Sequence, residues 1–296
     1  MQAESNSTFN MNQLNSENSG GSGTATFTER RLEVILKHKE LGQIMLGQGW
    51  SASDGTAESD LSDTWLAASS YQGNSAGFFF RDKSGNIASD AANDGTSDSV
   101  YYLADSFDGL GRTDRIRYDT PSFGGLTLAT SLAQGDRWDL SAKYKGKIRN
   151  TLIQAALGYA DVSGNPNSDY KNTLTGSVSV KFANGFNLTS AFGTKDLRSG
   201  STLAINGADP KFYYTKAGYQ AKLNSLGKTS FSIDYINGDE QQQASEELTG
   251  YGFQAVQSLQ AFDTDLYLAL SHYERKSSNI NYQDLNTAML GARVKF

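Results

Sequence analysis

Three arginines recur at short spacing in Arg112-Thr-Asp-Arg115-Ile-Arg117, and a fourth, Arg31, stands in Arg30-Arg31-Leu-Glu33. Between these stretches lies a segment carrying Asp54, Glu58, Asp60 and Asp63. Guanidinium groups keep their proton at any ordinary pH, and solvated carboxylates are ionised, so the two sets are charges of opposite sign. Face to face across a narrow wet space, they would set up a transverse field that sorts ions and orients dipolar solutes. That is electrostatic work in which no bond is made or broken. Covalent chemistry has little to stand on. Neither His38 nor His272 has a serine near it in a recognisable nucleophile setting. The absence of cysteine excludes thiolate chemistry, disulfides and Cys-ligated zinc. Asp90, Asp94 and Asp98 share an acidic stretch without calcium-loop spacing. No Gly-rich phosphate loop opens a helix, so no metal or cofactor is assigned.

The elements that must position these charges are strands. The chain has 296 residues with 30 Gly and 3 Pro, a balance that suits many strands joined by turns. Its 15 Tyr, 15 Phe and 3 Trp are too many aromatics for a solvated coil. With 26 Lys+Arg against 32 Asp+Glu, the net charge of -6 argues against a nucleic-acid partner. The mean hydropathy is -0.50, and no run approaches the ~18 apolar residues of a membrane helix. Met1-Gln2-Ala3-Glu4-Ser5 has neither the charged nor the apolar region of a signal peptide.

From about residue 112 onward, segments of roughly ten residues alternate apolar and polar positions. Leu126, Leu128 and Leu132 share one face, and Thr127, Ala129 and Ser131 the other. Trp138, Leu140, Ala142 and Tyr144 oppose Asp139, Ser141, Lys143 and Lys145. The pattern continues to Ala288, Leu290, Ala292, Val294 and Phe296, which oppose Gly291, Arg293 and Lys295. Connections alternate between short (146–148, 183–184, 224–226) and long and polar (162–169, 195–210, 238–247). Short turns at one end and long loops at the other describe an up-and-down meander. Strands of 9–11 residues tilted by ~45° cross a bilayer core. The fold class predicted is therefore all-β, a transmembrane antiparallel up-and-down barrel with a polar interior and girdles of aromatics near the strand ends. The competing reading is a soluble or surface-exposed β-protein that binds a partner through its long polar loops.

Alternation then assigns the charges. Outward Ile116 and Tyr118 send Arg115 and Arg117 inward, and outward Leu32, Val34 and Leu36 send Arg31 and Glu33 inward. Arg112 stands at a strand start, where alternation does not fix its direction. Residues 50–111 have no strand rhythm, and a loop that long is functional or disordered.

Three stretches resemble the general diffusion porins of the Gram-negative outer membrane. Arg30 to Gly49 is similar to the paired strands before the constriction loop, with a tight turn at Lys39 to Gly42. Arg112 to Leu126, with Tyr118-Asp-Thr-Pro121 and Phe123-Gly-Gly125, is similar to the strand and turn after it. Ala292-Arg-Val-Lys-Phe296 resembles the terminal strand signal read by the outer-membrane insertion machinery. The resemblance implies one barrel domain over 1–296, with residues 50–111 folded into the lumen. It also implies a constriction built from Arg31, Arg112, Arg115, Arg117, Asp54, Glu58, Asp60 and Asp63. The expected partners are membrane lipid and lipopolysaccharide, permeating ions and small hydrophilic solutes, and two further copies in a homotrimer. The family pattern implies about 16 strands, of which about 13 or 14 are readable here. On that count the chain begins inside the barrel, without the signal peptide and first hairpin; residues 1–11 would be the tail of one strand and 12–24 an exposed loop.

Overall fold

The structure, a computed structural model, describes residues 2–8, 26–75, 77–86, 99–278 and 280–295. The loop at 12–24, the acidic stretch with Asp90, Asp94 and Asp98, and Phe296 lie outside the described residues.

Fourteen strands form one sheet in strict sequence order, every neighbouring pair antiparallel. They are β1 (Gln2–Thr8), β2 (Thr26–His38), β3 (Gly42–Trp50), β4 (Arg112–Asp119), β5 (Leu126–Ala133), β6 (Arg137–Ile148) and β7 (Thr151–Asp161). Then follow β8 (Tyr170–Lys181), β9 (Phe186–Leu197), β10 (Lys211–Asn224), β11 (Gly227–Asp239), β12 (Glu247–Leu259), β13 (Thr264–Lys276) and β14 (Leu285–Val294). This is the up-and-down barrel topology. β1 and β14 are the sheet's edges, and they do not pair with each other among the described residues. One-turn helices interrupt two loops, α1 (Val100–Leu103) and α2 (Thr202–Ile205). No described helix is long and apolar enough to cross a membrane.

The two faces separate as alternation requires. On β4, Ile116 is 57% exposed while its neighbour Arg115 is 5% exposed. Leu32, Val34 and Leu36 point outward and Glu33 is buried. Outward leucines, isoleucines and valines recur from β2 to β14, up to Leu290 and Val294. An apolar band that wide has no place in water, and it disfavours the soluble reading. Aromatic pairs mark both rims of the band. Trp138–Tyr159 (5.5 Å between centroids) and Tyr235–Tyr251 (5.3 Å) stand toward the long loops. Phe186–Tyr219 (4.8 Å) stands toward the short turns. Amphipathic rings favour these headgroup levels.

The inner face is covered by the long segment between β3 and β4. Its neck is closed where the Ser51 N–H donates to the Gly111 carbonyl at 2.9 Å. Beyond the neck the segment follows the inner wall in strand order. Ser53 donates to Asp139 of β6 (2.6 Å), Thr56 meets Thr175 of β8 (2.6 Å), and the Leu61 N–H donates to Ser179 of β8 (2.9 Å). Thr64 meets Ser232 of β11 (2.6 Å), and Ala67 packs against Val256 and Ala269 of β12 and β13. Small residues let the loop lie close. A Cβ on Gly158 would come within 2.5 Å of the Thr56 hydroxyl. The rest of the segment carries Phe80, Val100, Leu103 and Phe107 into an apolar cluster with Phe212, Tyr214, Ile236, Leu248 and Tyr273. The buried core is thus inside the sheet, between loop and wall.

Candidate functional site

The candidate arginines fall into three different settings. Arg115 is locked into the wall. Its Nε donates to the Trp50 carbonyl (2.9 Å), its Nη1 to the Gly47 carbonyl (3.0 Å), and its Nη2 to the Glu33 carboxylate. Arg31 approaches the same carboxylate from β2, with its Nε 3.0 Å from Oε1. Two guanidiniums thus flank one buried carboxylate. Burial alone would destabilise a lone Glu33, so the triad holds together as a unit.

Arg117 is the more open of the two on β4. It grips Asp119 with both arms of its fork, at 2.7 and 3.1 Å, and Gln43 donates to the same carboxylate at 2.8 Å. Its Nη1 donates to the Ser51 carbonyl at 2.7 Å, which ties it to the loop's neck. Arg112 does not join them. It is exposed on the outward parity of β4, with its guanidinium 4.3 Å from the Trp50 ring centre. That places it beside an outward aromatic at the strand end, away from the inner face.

The loop carboxylates also divide. Asp54 and Glu58 gather with Asp108, which no spacing in the sequence had singled out. Asp108 accepts from the Gly55 N–H (2.6 Å) and the Ala57 N–H (3.2 Å), and so shapes the turn that presents Asp54 and Glu58. Lys143 reaches in from β6 and donates to the Asp54 carbonyl. This group borders a cavity of about 450 Å³ whose lining includes Glu58, Thr127, Lys143 and Gln154. Asp60 and Asp63 lie farther along the loop, on the far wall. Asp60 accepts from Lys216 of β10 at 2.8 Å, and Asp63 is paired with Lys228 of β11. The structure therefore brings Arg117 and Lys143 toward Asp54 and Glu58, and gives Asp60 and Asp63 lysine partners of their own.

Asp139 and Lys143 were legible as inward by alternation, and Lys216 and Lys228 share the inward parity of their strands, but nothing in the local sequence distinguishes any of them from solvated wall charges. Asp139 holds the loop on β5 and β6, accepting from the N–H of Ser53 (2.8 Å) and of Ala52 (3.3 Å) and from Ser131. Its loop partners Ser53 and Ala52 lie 86 and 87 residues away.

Enclosure raises the loop carboxyls. Burial, then the neighbouring Asp108 and Glu58 charges, pushes Asp54 up to about 8, against the pull of Lys143 and Arg117. Desolvation by the surrounding wall and the Asp108 charge push Glu58, which stays partly open to solvent, up to about 7. Burial raises Asp108 as well. Protons are held more tightly here than in an unfolded chain. The folded state therefore binds more protons from the usual carboxylate range up to about 8, and stability falls as pH rises through that window. The same titration sets a functional expectation. As pH falls through about 8 and about 7, negative charge leaves the group and ion preference shifts toward anions. Reversal potentials across a fixed salt gradient, measured over that range, should show the shift. Asp54→Asn should flatten most of it, and an unchanged pH profile in Asp54→Asn would separate these carboxyls from the conducting path.

A sequence model of the family described as Gram-negative porin matches residues 3–278. Among solved structures, the anion-selective porin from Comamonas acidovorans is 15% identical, with 92% of this chain and 79% of that one covered at a TM-score of 0.56. OmpT of Vibrio cholerae, folded in vitro and described as the trimer form, is 10% identical over 90% of this chain and 79% of that one, at 0.52. The outer membrane channel DcaP of Acinetobacter baumannii is 12% identical over 93% of this chain and 76% of that one, also at 0.52. At these identities the likeness is one of fold. A search of curated proteins finds no match.

Proposed function

The chain belongs to the Gram-negative porin family and is a passive diffusion channel of the bacterial outer membrane, and from that premise we propose how its passage is narrowed and charged. Its members conduct solutes and do not transform them. Residues 50–111 are the constriction loop, and the opening lies between the loop segment carrying Asp54 and Glu58 and the wall of β2 to β6. Arg117 and Lys143 supply the positive side. Arg31 and Arg115 stand behind them as a structural triad with Glu33. Asp60 and Asp63 act as anchors that hold the loop against β10 and β11, and Arg112 serves the outer rim. The observation that carries this division is the pairing itself: Asp60 and Asp63 are each taken up by a lysine, whereas Asp54 and Glu58 share Lys143 with Asp108, and Arg117 acts on Asp54 as well. Ions and small hydrophilic solutes would cross down their own gradients. The outward apolar band supports lipid as the surrounding medium, with lipopolysaccharide at the long-loop rim. The whole chain acts as one barrel domain and assembles as a homotrimer, in line with the trimer form described for the Vibrio cholerae protein.

The test is permeation by a size series of neutral sugars into proteoliposomes. Rates should fall steeply with solute size and rise in proportion to concentration. Saturation at low concentration would argue for a dedicated carrier site instead. Charge is tested separately. Arg117→Ser removes a positive group beside the loop's neck and should move the reversal potential toward cations at ~0.1 M salt, with the shift fading at ~1 M, where the screening length is about 3 Å. A reversal potential unchanged at the lower salt would remove Arg117 from the opening.

A further inference from the structure

A second charged station lies on the short-turn side of the loop, apart from the Arg117 group. The ends of β11, β13 and β14 bring Lys228, Asp265 and Arg293 to one spot, Lys295 follows directly, and the loop adds Asp63 and Trp65. They line a cavity of about 110 Å³. A single water needs roughly 10–15 Å³ on this measure, so the space holds several waters or one small polyatomic ion.

Among the described residues the charges do not balance. Three cations share two carboxylates. Arg293 donates through Nη2 to Asp265 at 2.6 Å, and Lys295 reaches the same Asp265 oxygen at 2.8 Å. Lys228 takes Asp63. The Trp65 ring covers one face of the Arg293 guanidinium, 5.0 Å from its centre. That leaves the Arg293 Nε–H, which is enclosed and has no acceptor among the described residues. Each ammonium also has more N–H donors than its one carboxylate partner uses. A buried donor without an acceptor is costly, and an acceptor-rich anion relieves it.

Alternation fixes access. Leu266 and Val294 beside Asp265 and Arg293 point outward, so the cavity opens to the interior and not to lipid. We propose that this cluster is a binding station for a small oxyanion, a free phosphate or carboxylate group of a permeating solute, gripped by Lys228, Arg293 and Lys295. An oxyanion suits the fork of an arginine better than a monatomic halide, because its oxygens can meet several N–H donors at once. The proposal rests on the channel reading for how the solute arrives, but the site itself needs only the residues named. A solute would then meet two charged stations in series, one at Arg117 and Lys143 and one near the short-turn mouth.

The test is calorimetric titration of the full chain in maltoside micelles with inorganic phosphate at low ionic strength. Wild type should bind saturably with one site per chain. Lys228→Gln should weaken binding by about tenfold, the loss of one charge-assisted contact. Asp63→Asn should tighten it, because a competing carboxylate is gone; a merely structural role for these residues would not give opposite signs. Arg293→Gln removes a cross-strand partner of Asp265 and could spoil folding, so Lys295→Gln, beyond the last strand, serves as the second weakening variant. Short-chain phosphatidylglycerol is the rival source of the same chemistry. If it displaces phosphate, the station belongs to a headgroup and the free-solute proposal is overturned. Absence of saturable binding, or wild-type affinity in both Lys228→Gln and Lys295→Gln, also overturns it. Chloride conductance of the same preparation keeps the two claims apart: conduction without phosphate binding sinks the station and spares the channel, and binding without conduction does the reverse.

Discussion

Lys216→Met is expected to lower barrel stability by about 3–5 kcal/mol and to raise single-channel conductance. Lys216 is fully enclosed between β10 and the loop, where it serves three acceptors: Asp60 at 2.8 Å, the Ala68 carbonyl at 2.6 Å and the Ser62 hydroxyl at 3.3 Å. Removing it leaves Asp60 almost wholly buried without its counter-charge. A carboxylate in that position must be rehydrated, and the cheapest route is for the loop to lift away from β10. The stability change can be read from urea unfolding in lipid, and the conductance from single channels in the same lipid. Lys216→Met with Asp60→Asn should recover much of the stability, because the second change removes the stranded charge, yet it should keep the wider opening. Wild-type stability together with wild-type conductance in Lys216→Met would mean that the loop is held elsewhere.

The second large effect belongs to the outer face. Leu128→Arg should cost roughly 2–4 kcal/mol in a bilayer, the range for arginine at the lipid midplane. Thr127→Arg, one residue away, should cost far less. Leu128 is 46% exposed on the apolar band, whereas Thr127 lines the wet cavity next to Lys143. The contrast depends on choosing an inward control with room. Ala269 has the right parity but sits under Ala67 of the loop, so an arginine there would be overpacked and would blur the comparison. Equal losses for Leu128→Arg and Thr127→Arg in refolding titrations would deny the two faces their different solvents.

The faces were legible in the sequence because the side-chain period of a strand is two residues and lipid demands an unbroken apolar set. Ile116 and Arg115, or Leu32 and Glu33, fall where alternation puts them. Strand ends were less legible. The turn read at 146–148 lies instead at Arg149 and Asn150, where Arg149 takes a φ of 53°. Gly146, the apparent turn signal, is inside β6 under the ring of Tyr144. Likewise β9 continues to Leu197 and β11 to Asp239, past the points where the pattern turns polar. Outside the bilayer both faces of a strand meet water, so hydrophobic alternation stops while hydrogen bonding goes on.

The site was legible in type more than in pairing. Inward arginines and a carboxylate loop could be read directly, since both follow from local pattern. Which carboxylate meets which cation could not. Asp60 and Lys216 are 156 residues apart, and the path of the loop along the wall depends on many small contacts such as Thr56 with Thr175. Arg112 shows the complementary failure. At a strand start its direction was open, and the outward Trp50 beside it, which receives its guanidinium, became visible only with the register of β3 on β4.

A planar bilayer with a salt gradient is the most direct measurement of a passive, charge-lined passage. Purified protein should insert in discrete steps of linear current against voltage. Conductance should rise in proportion to bulk salt, and the zero-current potential should depend on pH through the Asp54 and Glu58 carboxyls, which titrate near 8 and 7. Failure of correctly folded protein to conduct, or a current that saturates at low salt, would contradict it.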